Sequence, residues 1–235
     1  MRVRLPKYSP YRDSYDAGFM TGLADKYERR TRWTRMRLAN VRRLVDPRPG
    51  DKVLDLGCAA GSIAHFLSTF GCETVGVDDA PAAVAEARKL YPELTFELAD
   101  GADLPFANGS FDKIVAVDLT EHLDDGTLDA MFSECFRILR TGGTLSVHTP
   151  NPKHLIERLK EREFLLAQNP THIGLRSRGD LEERLRRSRF EIDWSDWRRS
   201  FIPVFRTFEL ILGQFTELFR YRICIRARKP EADAG

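Results

Sequence analysis

The chain has 235 residues, 42% of them hydrophobic and 31% charged, with a mean hydropathy of −0.38. That balance fits a soluble globular protein with a sizeable core and excludes disordered, collagen-like and membrane-spanning classes. The net charge of +2 hides an uneven spread: residues 1–50 carry +8, residues 51–170 carry −10 and residues 171–235 carry +4, so an acidic centre is flanked by basic segments.

At about 150 residues per domain the length falls between one and two domains, and it reads as one unit over residues 51–235 with an N-terminal appendage over residues 1–50. Cys58, Cys72, Cys135 and Cys224 are scattered with no C-x-x-C pair, and the five histidines lack zinc-finger spacing. No disulfide framework and no metal site are therefore expected. The segment Met1 to Pro6 lacks the apolar run of a signal peptide, and Glu209, Gln214 and Glu217 interrupt the most apolar late stretch. A cytoplasmic protein with no stable membrane insertion is the expectation.

Up to about Gly22 the chain shows no clear period; from there to Val45 it is helix-like and strongly basic. Pro47-Arg48-Pro49-Gly50 breaks the pattern. Short β-rich runs follow at Lys52–Leu56, Glu73–Val77, Thr95–Leu98, Lys113–Val117 and Thr144–Thr149. Helices fit between most of them. Pro81 stands at the first turn of a helix over Ala82–Leu90, and Leu128, Met131, Phe132, Cys135, Phe136 and Leu139 recur at helical spacing. Gly71 and Gly142-Gly143 are placed just past helix ends, where a left-handed conformation is needed. Two further helices are expected over about Lys153–Ala167 and Gly179–Ser188, with β-like runs at Phe190–Trp194 and Tyr221–Arg228. This alternation predicts an α/β fold with a parallel sheet, helices on both faces and a ligand site at the carboxyl ends of the strands.

The stretch Val53-Leu54-Asp55-Leu56-Gly57-Cys58-Ala59-Ala60-Gly61-Ser62 is a buried strand ending in an acid and passing through a small-residue turn into a helix, which lets a ligand approach the backbone closely. Asp78 ends the second run, where a carboxylate can accept hydrogen bonds from both hydroxyls of a ribose. Asp100 ends the third, beside backbone amides able to read an adenine edge. Three acids at three adjacent strand ends describe a nucleoside site.

These residues, together with Val75-Gly76-Val77-Asp78, Leu104-Pro105-Phe106, Phe111-Asp112-Lys113-Ile114-Val115 and Leu139-Arg140-Thr141-Gly142-Gly143-Thr144-Leu145, resemble the class I S-adenosylmethionine-dependent methyltransferases. The nearest group is the small-molecule enzymes that include the ubiquinone and menaquinone biosynthesis methyltransferases. The match runs from about Asp51 to Thr149, and the G-x-G-x-x-G of a dehydrogenase is absent. The resemblance implies a Rossmann-like, doubly wound, mostly parallel seven-stranded sheet with an antiparallel last strand and a helical insertion before it. It assigns Asp55, Gly57, Cys58 and Gly61 to the methionine end of the cofactor S-adenosyl-L-methionine, Asp78 and Asp79 to ribose and adenine, and Asp100, Gly101 and Ala102 to adenine. Asp118 and Leu119 should lie near the sulfonium. Ala59 departs from the glycine of many relatives, which implies weaker binding.

Methyl transfer mainly requires a nucleophile held in line at about 3 to 3.5 Å, and a hydroxyl acceptor gains on the order of 100-fold to 10,000-fold from a general base. His122 is the first candidate base, with a loop-orienting role as its alternative; His172 is the second substrate-side candidate, with His148 and His154 nearby in the expected fold. The string Asp118-x-x-Glu121-His122 also resembles a stretch of quinone O-methyltransferases, some of which use a divalent metal. In the resembled fold, insertions at about 151–180 and 200–219 and at the N-terminus cover the acceptor. Val204, Phe205, Phe208, Leu212, Phe215 and Phe219 then read as a core stripe, an apolar lid or a dimer contact. The leading expectation is transfer to a small organic acceptor at oxygen by a monomer or homodimer. A nucleic-acid methyltransferase is the second reading, weakened because Asp118-Leu119-Thr120-Glu121 stands where base methylators carry an Asp/Asn-Pro-Pro-aromatic string. A non-catalytic S-adenosylmethionine-binding protein is the third.

Overall fold

Residues 53–56, 74–77 and 114–117 are buried throughout because the sheet they build is covered on both faces. A computed structural model describes residues 16–29, 31–161, 169–199 and 209–231. Its strands are β1 (Lys52–Leu56), β2 (Glu73–Asp78), β3 (Thr95–Leu98), β4 (Phe111–Val117), β5 (Leu139–Pro150), β6 (Glu191–Arg198) and β7 (Arg222–Arg228), in the spatial order β3-β2-β1-β4-β5-β7-β6. Neighbours from β3 to β5 pair in parallel, and β7 runs antiparallel to both β5 and β6. The helices are α1 (Ala17–Glu28), α2 (Arg32–Val45), α3 (Ser62–Ser68), α4 (Pro81–Leu90), α5 (Asp125–Ile138), α6 (Leu155–Glu161) and α7 (Arg178–Arg187). No helix among the described residues is long and apolar enough to cross a membrane.

The period of two along each strand divides the core. Val53 of β1 and Val115 and Val117 of β4 cluster with Val41 and Val45 of α2 and Ile63 and Leu67 of α3. Leu54, Leu56 and Ile114 from the same strands cluster instead with Leu128, Met131 and Phe132 of α5 and Leu181 and Leu185 of α7. Each such side chain contributes about 1.5–3 kcal/mol on burial. Local signals set the helix starts: Asp124 caps α5 by accepting from the Thr127 N–H at 3.0 Å, and Pro81 occupies the first turn of α4.

Four expectations are corrected. The basic helix over 22–45 is two helices: α1 starts at Ala17 and contains Gly22, and Thr31 caps a new start by accepting from the Thr34 N–H at 3.2 Å. Gly142-Gly143 lie inside β5 rather than past a helix end, because α5 passes into β5 at Leu139 with no intervening loop and the strand is irregular opposite Phe111 and Lys113. β6 runs on to Arg198, four residues beyond Trp194, with a register shift between Ile192 and Trp194. Leu212, Phe215 and Phe219 lie in or beside two 3₁₀ turns, Leu212 and Phe219 half-buried and Phe215 83% exposed, while Val204, Phe205 and Phe208 lie outside the described residues. The helix expected to Ala167 is described only as α6, residues 162–168 lying outside that set.

Two glycines make room for one ring. Phe96 of β3 is 2% exposed, and a Cβ on Gly61 would lie 2.7 Å from its Cζ, while one on Gly76 would lie 2.5 Å from its Cδ1 and 3.0 Å from Cys58 Sγ. The ring thus supports the β1–α3 loop from below. Gly76→Ala is expected to cost about 1–3 kcal/mol by overpacking, read as a lower urea midpoint; an unchanged midpoint would show that the ring has room to move.

Candidate functional site

The strand order reverses at β1, which pairs with β2 on one side and β4 on the other. A crevice opens at such a point beyond the carboxyl ends of the strands. Here it is a cavity of about 730 Å³, within the range of about 300–1,000 Å³ for small-molecule sites. Every residue nominated from the sequence lines it except Gly61. Gly61 instead takes the N-terminal cap position of α3 with φ 80°, its turn pressed against Phe96, so its role is to shape the loop.

That loop alternates left-handed residues: Gly57 (φ 72°), Ala59 (φ 47°) and Gly61. At Gly57 the requirement is also steric, since a Cβ would lie 2.9 Å from Leu119 Cδ1. Ala59 adopts this conformation despite its methyl group, a strain on the order of 1–2 kcal/mol, and its N–H donates to Asp78 Oδ2 at 2.9 Å. Ala80 N–H donates to Asp78 Oδ1 at 3.0 Å. Asp78 therefore ties the loop to β2, and each of its oxygens retains a second lone pair for a ligand hydroxyl. Burial pushes the Asp78 carboxyl up to about 6 against these two amide bonds. Asp55 accepts from Ala64 N–H at 2.9 Å, and burial pushes its carboxyl up to about 7. Asp100 Oδ1 accepts from Ala102 N–H at 2.9 Å. Cys58 Sγ is buried in this loop, and burial followed by Asp55 raises its thiol pKa well above the ordinary value.

Beyond β4 the cavity holds a charge cluster not anticipated from the sequence. Asp118 (φ 53°) accepts from Arg37 of α2 at 2.9 Å and from Arg222 of β7 at 3.2 Å, and His148 Nδ1 lies 3.4 Å away. Burial alone would raise the Asp118 pKa, but Arg222 and then Arg37 hold it well below the usual carboxylate range. Glu121 is 1% exposed and accepts from the Thr149 hydroxyl at 3.0 Å; burial and then Asp118 push its pKa up. Arg37 also stacks over Trp33 and Tyr27, with its guanidinium carbon 5.1 and 5.7 Å from the ring centroids. Nothing in the sequence separates Arg37 from the other arginines of its basic helix. For Arg222 the one available signal is a charge opening an apolar strand.

His122 Nδ1 lies 3.0 Å from the Thr171 carbonyl oxygen. A carbonyl only accepts, so Nδ1 carries the proton. Burial lowers the His122 pKa, which keeps the ring neutral with its lone pair on Nε2. The His172 ring meets it edge-on at 5.0 Å, and burial followed by His122 pushes the His172 pKa down to about 4. His148 and His154 are buried and do not line the cavity. His154 Nδ1 accepts from Ile156 N–H, leaving Nε2 to donate to Glu209 at 3.3 Å, a structural pairing. Glu121, His122 and His172 offer ligand atoms within 4.8 Å of one another. The set suits a dication poorly, because the Arg222 charge acts on Glu121 and Thr149 already occupies one of its oxygens.

A methyltransferase domain family model matches residues 53–143, the segment that carries β1 to the start of β5 and the glycine loop. Residues 53–143 carry a methyltransferase domain. A methyltransferase solved in complex with the Haloferax volcanii Trm112 methyltransferase activator superposes with a TM-score of 0.69 at 19% identity, over 96% of this chain and 100% of that one; at that identity the likeness is one of fold. An S-adenosylmethionine-dependent methyltransferase of Mycolicibacterium smegmatis is 34% identical over 162 residues, covering 68% of this chain and 60% of that protein. The O-methyltransferase resE of Aspergillus sclerotiorum is 30% identical over 175 residues, covering 68% and 62%. The chain thus spans less than two thirds of these relatives' length.

Because Asp118 is the carboxylate shared by two buried guanidiniums, Asp118→Asn is expected to cost about 3–5 kcal/mol, the scale for stranding buried charge. Since the folded pKa is depressed, the stabilisation from Asp118 is present at neutral pH and is lost as pH falls through that depressed value. Urea unfolding at neutral and acidic pH reads both effects: the mutant deficit should shrink in acid, and a pH-independent deficit would remove the ionic explanation.

Proposed function

We propose that this methyltransferase domain binds S-adenosyl-L-methionine in the 730 Å³ cavity and transfers its methyl group to a hydroxyl oxygen of a small organic acceptor. The observation that carries the reading is the row of carboxylates Asp55, Asp78 and Asp100 at successive strand ends, sharing one cavity with a neutral, oriented imidazole. In this reading Asp78 and Asp79 take the ribose and adenine, Asp100 with the amides of Gly101 and Ala102 takes the adenine edge, and Asp55, Gly57 and Cys58 flank the methionine end. The similarity of the chain to an O-methyltransferase favours oxygen as the accepting atom.

The bound cofactor supplies a methyl group already activated by its sulfonium. The protein positions the acceptor in line, which is where most of the rate arises. His122 Nε2 would take the proton of the acceptor hydroxyl as its oxygen is methylated. Thr171 holds the ring in the required tautomer. Met20, Leu23, Tyr27 and Trp33 of the N-terminal helices line the cavity and act as its cover, keeping water from the reacting atoms.

Two measurements test this. Calorimetric titration of S-adenosylmethionine and S-adenosylhomocysteine should show saturable binding, weakened in Asp78→Ala by about 1.5–3 kcal/mol, the scale for hydrogen bonds to a charged group; undiminished affinity in the folded mutant removes Asp78 from the site. In an acceptor-dependent assay, His122→Ala should lower turnover on the order of 100-fold to 10,000-fold with cofactor affinity intact. A base works unprotonated, and burial lowers the His122 pKa. The wild-type rate should therefore stay level from neutrality into mild acid and fall only below the ordinary imidazole range. An acid limb unchanged in His122→Ala would assign it to another group.

A further inference from the structure

The two guanidiniums in the cavity are unequally matched by negative charge. Arg37 and Arg222 come from opposite ends of the chain, have side chains only 14% and 13% exposed, and both meet Asp118. Their other hydrogen bonds are long: Arg37 Nη2 to the Val117 carbonyl at 3.4 Å and Arg222 Nη2 to the Tyr221 hydroxyl at 3.5 Å. Among the described residues Arg37 Nε is buried with no hydrogen-bond partner. Two guanidiniums offer ten N–H donors, and these contacts use four of the six nitrogens.

The surrounding groups do not restore the balance. Burial lowers the pKa values of His148 and His122, and burial raises those of Tyr27 and Glu121, so each favours its neutral form near neutral pH. Among the described residues Asp118 is the one carboxylate in contact with either guanidinium, with Asp55 and Glu157 acting from further off, so direct pairing leaves an excess of guanidinium over carboxylate. S-adenosylmethionine cannot cancel the excess, because its carboxylate is offset by its ammonium and its sulfonium adds a further positive charge. A buried surplus of one sign is strongly disfavoured unless paired. Arg222 opens β7 and is registered against Pro150 at the end of β5, on the side of β4 away from β2 and β3, where the nucleoside carboxylates lie.

We propose that the acceptor carries an oxyanion, a carboxylate or a phosphate, remote from the atom that is methylated, and that Arg222 with Arg37 holds it across from the cofactor. A planar guanidinium suits either group through paired N–H bonds. This rests on the reading of the cavity as the methyl-transfer site and names the class of molecule that enters it.

The test uses the full chain saturated with S-adenosylhomocysteine, so that the cofactor's own carboxylate already occupies its place. Benzoate, phenyl phosphate and phenol are titrated by calorimetry. At least one anion should bind saturably and at least tenfold more tightly than phenol, and the better of the two identifies the oxyanion. Arg222→Gln, compared while saturated with S-adenosylhomocysteine, should remove that preference. Equal binding of all three probes, no binding of either anion, or anion binding only to the cofactor-free protein would overturn the proposal; the last result would assign the arginines to the cofactor carboxylate. Should Arg222→Gln fail to fold, the comparison of the three probes on the wild type decides alone. Failure of S-adenosylhomocysteine itself to bind would instead overturn the methyl-transfer reading.

Discussion

The contact on which the site depends is the one Asp118 makes with Arg37 and Arg222. It joins the N-terminal helix α2, the end of β4 and the start of β7, three parts of the chain separated by 81 and 104 positions. Asp118 is held in a left-handed conformation that asparagine and aspartate tolerate better than other side chains, and this turns the chain sharply out of β4 into the segment carrying Glu121 and His122. The sheet alone would place these residues near one another. The ionic cluster sets their orientation and ties the cover of the cavity to its floor.

A second constraint acts on the β1–α3 loop. Phe96 fills the space left by Gly61 and Gly76, and Asp78 holds Ala59 from above. The loop is therefore fixed on two sides without a ligand, which is the pre-organisation that reduces the ordering cost of binding. The carboxyls of Asp55 and Asp78 are raised by the same burial, so the β1–β2 end of the cavity carries less negative charge than its count of acids suggests.

Much of this was legible in the sequence because the signals were local. Strand runs between turn residues placed β1 to β4 to within two residues, and the spacing from Leu128 to Leu139 marked the buried face of α5. Acids at strand ends marked the cavity. What failed depended on contacts between distant segments. Gly142-Gly143 looked like a helix stop, yet β5 begins where α5 ends because Leu139 pairs with Phe111. Arg189, at the turn into β6, adopts φ 69° and lays its guanidinium 4.3 Å from the Phe136 ring centroid, a contact between distant segments that holds this turn without glycine. Arg37 and Arg222 were illegible for a simpler reason: a buried arginine and a solvated one are the same letter, and only the fold brings this pair to one carboxylate.

The buried thiol of Cys58 has a consequence of its own. All four cysteines are buried, and a raised thiol pKa leaves little thiolate to react. Cys72, Cys135 and Cys224 lie in or beside the sheet and α5, whereas Cys58 lies in the β1–α3 turn. An alkylating reagent therefore meets different clocks: Cys135 and Cys224, inside α5 and β7, run at the pace at which those elements open, and Cys58 runs at the pace of one short loop. Occupancy of the cavity that Cys58 lines would stop its clock while leaving those of Cys135 and Cys224 running.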